Sequence, residues 1–179
     1  MTTAIVLGGG GGIGSVAART PALDPHLELL LADARLSAAQ DVAADIGSDQ
    51  ARATACDVSD RAALTALIAN ADVVVNCVGP FYRFGPSTLA AAIDAGVDYV
   101  DVCDDLAPTV TMLQQDEHAR ERGVRALIGV GNSPGLANLF VRLCDDLLLD
   151  RLDRVDIMHV HGVSRWRAQP SSPTASTRW

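Results

Sequence analysis

The sequence predicts an α/β fold, a doubly wound parallel sheet, on three observations. Short runs rich in β-branched residues and leucine alternate with segments of ten or more residues at helical spacing, with Gly or Pro between them. That alternation belongs to parallel strands joined by crossover helices. The runs are also near-continuously apolar, as in "DVVVNCV" over 72–78, which suits strands covered on both faces. Finally, 49% of the residues are hydrophobic but only 4% aromatic, so Ala, Val and Leu must fill the core, which lets helices lie close on a sheet.

Strands are expected at 3–7, 27–32, 51–56, 72–78, 99–102 and 124–130. The helix after the first strand should be short, because Pro21 disfavours helical geometry at Thr20. Ser37 with Gln40 three residues on reads as a capping box for the second helix, and Gly47 stands where a C-terminal glycine would end it. Ser59 is placed to cap the next helix. Gly85-Pro86 reads as the start of another, with Pro at its first position and Gly96 past its end. Six strands with linking helices make a complete Rossmann sheet in the order 3-2-1-4-5-6. A helix over 134–148 then leads to "RVDIMHVHGV", which reads as a short seventh strand, and to a polar stretch rich in Ser, Thr and Pro. The organisation expected is a dinucleotide-binding domain at 1–150, the start of a second domain at 151–163, and a disordered C-terminal tail at 164–179.

A net charge of -8 and a pI near 4.7 argue against nucleic acid and anionic membrane surfaces as partners. All fourteen basic residues are Arg. The absence of Lys excludes a Schiff-base lysine, a P-loop lysine and a Tyr-x-x-x-Lys proton-transfer pair. The four cysteines form no C-x-x-C and read as reduced thiols. His159 and His161 alternate along the seventh strand, but no third ligand stands near them, so no metal site is expected. With no membrane-length apolar run and no leader pattern, a cytoplasmic protein is expected.

"AIVLGGGGGIGSVAAR", from Ala4, runs a strand straight into five consecutive glycines. Gly9, Gly11 and Gly14 fit G-x-G-x-x-G between a strand and a helix. In that reading Gly9 makes the tight turn, Gly11 lets backbone approach a pyrophosphate, and Gly14 lets helix pack on strand. The amides around Gly12 and Ile13, free at the helix start, then bind phosphate without a basic patch. Asp33, about twenty residues past the glycines, is placed to accept from ribose hydroxyls. Arg35 is placed to pair with a 2'-phosphate that Asp33 would repel, which leaves NADP and NAD both open. Asp57 and Val58 end the third strand where adenine would lie, and Asn76, Gly79 and Pro80 end the fourth where a nicotinamide ribose or ring would lie.

"NCVGPFYRFGPSTLAAAIDAGVDYVDVCDD", from Asn76, and "GNSPGLANL", from Gly131, resemble segments of the saccharopine dehydrogenase-like oxidoreductases. The resemblance implies a pyridine-nucleotide cofactor bound by Gly9, Gly11, Gly14, Asp33, Gly79, Pro80 and Phe81. In full-length members it implies redox chemistry at a carbon–nitrogen bond of an amino-acid-type substrate, with other members acting as lipid enoyl reductases. Tyr99, Asp101 and Asp104 match the segment near the nicotinamide; a substrate role and a structural one, as buried Tyr and capping carboxylates, both fit them. No catalytic residue is assigned, because the family's second domain is expected to be missing. A hydride-transferring oxidoreductase, a stand-alone dinucleotide-binding module and an inactive truncated product therefore all remain. Sheet edge and apolar surface left without that domain should favour a homodimer.

Overall fold

The computed structural model describes residues 2–47 and 49–158. Six parallel strands form one sheet: β1 (Thr2–Leu7), β2 (Leu27–Asp33), β3 (Ala51–Ala55), β4 (Val73–Asn76), β5 (Asp98–Asp101) and β6 (Ala126–Leu127). Their order is β3-β2-β1-β4-β5-β6, as expected. β1 lies at the centre, in register with β2 from Thr2↔Leu27 to Leu7↔Ala32 and with β4 from Ala4↔Val73 to Leu7↔Asn76. The chain winds one way from β1 and then the other, so a crevice opens where β1 and β4 end.

Period-two alternation divides the core. Ala4 and Val6 of β1 face one layer with Leu29, Leu31, Ala18 and Ala39, against α1 (Gly12–Arg19) and α2 (Leu36–Ile46). Ile5 and Leu7 face the opposite layer, built on α3 (Arg61–Ile68) and α4 (Phe81–Ala95), with α5 (Leu106–Leu113) and α6 (Asp116–Glu121) beyond. Burying a side chain such as Leu64 or Leu89, each 1% exposed, stabilises by about 1.5–3 kcal/mol. The first helix is short, with a single 3₁₀ turn (Pro21–Leu23) after it. Gly47 and Gly96 end α2 and α4 in left-handed geometry, as read from the sequence.

Four local readings are corrected. α2 begins at Leu36 with Arg35 as its cap, so Ser37 lies inside the helix and forms no capping box; the Arg35 carbonyl already accepts from the Ala38 amide. Asp60, not Ser59, caps α3, accepting from the amides of Ala62 and Ala63, while the Ser59 hydroxyl donates to Asp57. α4 begins at Phe81, and Pro86 sits inside it. Gly85 makes that tolerable, since the clash a proline imposes on the preceding residue comes partly from a Cβ that glycine lacks. The last helix, α7, runs Ala137–Leu147, because an irregular turn at Asn132–Leu136 contains Ser133 in extended geometry.

β6 is also shorter than its apolar run. The Val124 amide bonds back to Ala119, the Arg125 amide to the Asp98 carboxylate, and Gly129 at φ +74° turns the chain away. Among the described residues there is no seventh strand: residues 151–158 carry no regular structure. The rest of that expected strand, with His159 and His161, lies outside the described residues, as does the tail at 164–179. Among the described residues no helix is long and apolar enough to cross a membrane.

Candidate functional site: a glycine loop and the crevice between β1 and β4

The five glycines serve different ends. Gly8 takes φ +73° against the Cys77 backbone, and the tight turn closed by the Gly11 amide on the Gly8 carbonyl carries Gly9 and Gly10 at its centre. The amides of Gly8 and Gly9 both donate to the Ala32 carbonyl, at 2.8 and 3.1 Å, which ties the loop to β2. A Cβ on Gly10 would stand 2.6 Å from that of Ala38, so Gly10 is where the loop packs on α2. A Cβ on Gly14 would stand 2.1 Å from the Gly8 carbonyl oxygen, which confirms close packing of helix on strand end at that position.

Gly12 differs. It lies in α1, exposed, and nothing stands within 4 Å of where its Cβ would be. Alanine would serve a helix better there by up to about 1 kcal/mol. The fold therefore supplies no reason for glycine at the helix mouth. Gly79, across the crevice, likewise has open space around it and no positive φ. The Gly11 amide donates back to Gly8, whereas those of Gly12, Ile13 and Gly14 are first-turn donors that no carbonyl of the helix can reach.

Asp33, at the end of β2, is half-buried and holds the loop. One carboxylate oxygen accepts from the Gly10 amide at 3.1 Å and the other from the Arg35 amide at 3.0 Å. Arg35 is exposed, and its guanidinium has no carboxylate partner among the described residues. A pocket of about 240 Å³ joins Asp33, Asp57, Val58 and Gly79 with Cys56 and Phe84. Asp57 is exposed; the hydroxyl and amide of Ser59 donate to it and hold its carboxyl below the usual carboxylate range. The Arg83 guanidinium lies 4.9 Å from the centre of the Phe84 ring. A second cavity, of about 610 Å³ and lined by Ile13, brings Asp104 together with Gly131, Asn132 and Ser133.

The remaining candidates lie inside. Asn76 is fully buried; its amide donates to the Tyr99 hydroxyl at 2.9 Å, and its carbonyl accepts from the Val78 amide. Tyr99 and Asp101, at alternate positions on β5, are 1% and 0% exposed. Burial, reinforced by Asp101, pushes the Tyr99 hydroxyl well above its ordinary value, and burial pushes the Cys77 thiol up to about 11. One Asp101 oxygen accepts from the amides of Cys103 (3.0 Å) and Gly129 (2.8 Å), while the other, buried on the Tyr99 side, meets no donor within hydrogen-bonding geometry among the described residues. This carboxylate thus holds the loop that continues from β6 to the cavity wall. Phe81 packs into the core at 8% exposure, whereas Pro80 is exposed at the crevice rim.

Sequence reasoning assigned no role to Gly8, Gly10, Cys56 or Phe84. In a run of five glycines the motif has no unique frame, and Phe84 carries no pattern of its own. The wall at 131–133 did have a signal in "GNSPGLANL".

Comparison with known proteins agrees with this geometry. Residues 4–127 match the family described as the saccharopine dehydrogenase NADP binding domain. Carboxyaminopropylagmatine dehydrogenase from Synechocystis sp. is 28% identical over 164 residues, which cover 86% of this chain and 40% of that protein. A saccharopine dehydrogenase-like oxidoreductase from Rattus norvegicus is 34% identical over 70 residues, covering 38% of this chain and 16% of that one. In fold, the chain is similar to apo saccharopine dehydrogenase (L-Glu forming) from Saccharomyces cerevisiae, with a TM-score of 0.71 and 24% identity over 82% of this chain and 31% of that one. The chain spans less than half the length of these relatives. Matched over most of its sheet and in its glycine loop, the chain belongs to the saccharopine dehydrogenase NADP-binding-domain family.

Proposed function

We propose that this chain is the cofactor-binding part of an oxidoreductase that moves a hydride between a nicotinamide dinucleotide and an amino-acid-type substrate. The observation that carries the reading is Gly12: bare backbone in open space at a helix start, beside amide donors that nothing among the described residues accepts from. That arrangement fits a diphosphate, which takes N–H donors at a helix N-terminus without needing a cation.

In this reading the amides of Gly12, Ile13 and Gly14 bind the diphosphate, and Asp33 accepts from the adenosine ribose. Val58 and Phe84 flank the adenine in the smaller pocket. Gly79 and Pro80 border the nicotinamide ribose, and Asp104 faces substrate across the larger cavity. When bound, the nicotinamide supplies the hydride chemistry; the protein orients it and excludes water. Asn76, Tyr99 and Asp101 act beneath the surface by holding the strand ends and loops in place. The substrate class is drawn from the names of the relatives.

Arg35 tips the cofactor preference toward NADPH. Both Asp33 oxygens are drawn to backbone amides, while the neighbouring guanidinium has no competing carboxylate among the described residues and is available to a 2'-phosphate. Titration with NADPH and NADH, followed by melting, tests the whole reading. A ligand at a hundred times its Kd stabilises by about 2.7 kcal/mol, a rise in Tm of roughly 5–10 °C. No rise with either nucleotide would overturn it.

A second reading, a module that binds without turnover, is favoured by the burial of Asn76, Tyr99 and Asp101, which leaves Asp104 as the one titratable side chain lining the larger cavity among the described residues. Binding without NADPH oxidation or NADP reduction over a panel of amino-acid and keto-acid pairs would select it.

A further inference from the structure

We infer that the Tyr99 hydroxyl is a positioning group that joins the two walls of the crevice, the loop at 77–80 on one side and the segments at 102–104 and 129–131 on the other. β4 and β5 are neighbours, with Val74 opposite Tyr99 and Asn76 opposite Asp101, and the period of two sends Asn76, Tyr99 and Asp101 to one face of the sheet. All three are at most 1% exposed, and none lines either cavity described above. They act on a ligand only through the backbone they hold.

Donor and acceptor chemistry fixes the direction of the contacts. The Val78 amide can only donate, so the Asn76 carbonyl oxygen faces it, at 3.0 Å, and the Asn76 nitrogen faces the Tyr99 hydroxyl, at 2.9 Å. That hydroxyl therefore accepts, and its own proton is left for Asp101, the carboxylate on its other side. Asp101 in turn takes the amides of Cys103 and Gly129, and its main-chain carbonyl takes the Val130 amide at 2.7 Å. Both ends of this row reach lining residues. Val78 leads into Gly79 at the smaller pocket. Cys103 stands between Val102 and Asp104, and Gly129 leads into Val130 and Gly131, all on the wall of the larger cavity.

An Asn side-chain amide is planar, so tethering its nitrogen aims its oxygen. With phenylalanine at 99 the ring would fill the same space, but the Asn76 amide would be free to turn and the buried Asp101 oxygen would lose the hydroxyl beside it. A buried hydroxyl costs stability unless it is bonded, so packing alone gives no reason for tyrosine here. Its use is alignment: one group sets both walls, which shift together. The inference rests on the proposed nucleotide site only for what lies between those walls, where in that reading nicotinamide and substrate meet and Tyr99 sets their separation without touching either.

Amide hydrogen exchange followed by NMR on the full 179-residue chain tests this, first without nucleotide. In Tyr99→Phe the amides of Val78, Cys103 and Gly129 should all exchange about tenfold faster than in wild type or more, while Val6, within β1, keeps its rate. Since that variant leaves buried polar groups unpaired, Asn76→Leu with Tyr99→Phe is made beside it. It replaces both partners by apolar groups, which a core accepts, and should still speed Cys103 and Gly129, whose own bonds to Asp101 it leaves in place. A response confined to one wall in Tyr99→Phe, or unchanged Cys103 and Gly129 amides in either folded variant, would overturn the inference. Saturating NADPH is then added. It should slow the Cys103 and Gly129 amides of the wild type about threefold or more and leave those of Tyr99→Phe unchanged. No slowing in a wild type that binds, or equal slowing in both proteins, would also overturn it. If NADPH does not bind, the melting titration has rejected the nucleotide reading, and the first comparison alone decides whether Tyr99 joins the walls.

Discussion

Replacing Gly12 by alanine separates what the fold needs from what a ligand needs. The residue is helical, exposed and surrounded by open space, so the added methyl meets no protein atom. Without ligand, alanine reduces the freedom of the unfolded chain and favours the helix, a gain of about 0.5–1 kcal/mol. For a chain of this size that raises Tm by roughly 1–4 °C. With ligand the sign reverses. A methyl at the helix mouth holds a phosphate away from the amides of Ile13 and Gly14, and hydrogen bonds to a charged group are worth about 1.5–3 kcal/mol each. Loss of two weakens binding by about 3 kcal/mol or more, a hundredfold or greater rise in Kd.

The assay is thermal melting followed by far-UV circular dichroism, with and without NADPH, since both tryptophans, Trp166 and Trp179, lie outside the described residues. Gly14→Ala is the contrasting variant, because its Cβ would stand 2.1 Å from the Gly8 oxygen and the turn must open whether ligand is present or not. The expected pattern is a Gly12→Ala protein at least as stable as wild type and blind to the nucleotide, beside a Gly14→Ala protein several degrees less stable. A folded Gly12→Ala protein that binds NADPH within threefold of wild type would refute the reasoning. So would one that melts well below wild type in the absence of ligand.

Three further outcomes follow from the same geometry. Arg35→Ala should weaken NADPH about tenfold by titration and leave NADH unchanged, since only a 2'-phosphate meets that guanidinium; equal loss of both would assign Arg35 to the fold. Asp101→Ala leaves the buried amides of Cys103 and Gly129 unpaired, about 1–3 kcal/mol each, whereas Asp101→Asn keeps the accepting oxygen and should melt close to wild type. Asp98, to which Arg125 donates through its amide and guanidinium, has its carboxyl held below the ordinary value. That bond stabilises the fold above the unfolded carboxylate pKa of about 3.9 and is lost as pH falls through the lowered folded value. Because the Arg125 guanidinium lies in solvent the contribution is small, so a small Tm gap between wild type and Asp98→Asn at pH 7 should close in acid.

The sheet was legible because β1, β2 and β4 are apolar runs that stand out from their helices, and the strand–helix alternation around them fits the strand order of a doubly wound sheet. Helix starts were less so. Ser37, Ser59 and Gly85-Pro86 are each good local signals, but the Arg35 carbonyl, the Asp60 carboxylate and the Pro80 turn competed at neighbouring positions and won. The site was legible as a set of loops but not as a set of side-chain directions. Asn76, Tyr99 and Asp101 stand on strands of the sheet, β4 and β5, yet are buried in the core. For the last two, the period of two along β5 was a usable signal, since it puts them on one face together. Which glycine does what was beyond any pattern, because the answer lies in contacts with Ala38 and Cys77, remote in sequence.

An acidic, lysine-free chain that holds a polyanion makes a last prediction, on salt. Seven of the described arginines, among them Arg19, Arg61, Arg125 and Arg142, are paired with carboxylates on the surface. Arg122 donates to the carbonyls of Ile93 and Asp94 that end α4. The surrounding field therefore repels the nucleotide, and attraction comes from dipolar amides, whose effect ends within a turn of the helix. At an ionic strength of about 0.15 M charges separated by more than about 8 Å are screened, so added salt removes the repulsion and leaves the amides untouched. NADH affinity should thus hold steady or tighten as salt rises. NADPH affinity should fall relative to it, through Arg35, and Arg35→Ala should abolish the difference. If NADH binding instead weakens tenfold with salt, cations and not backbone hold the diphosphate, and the glycine loop is not the anchor.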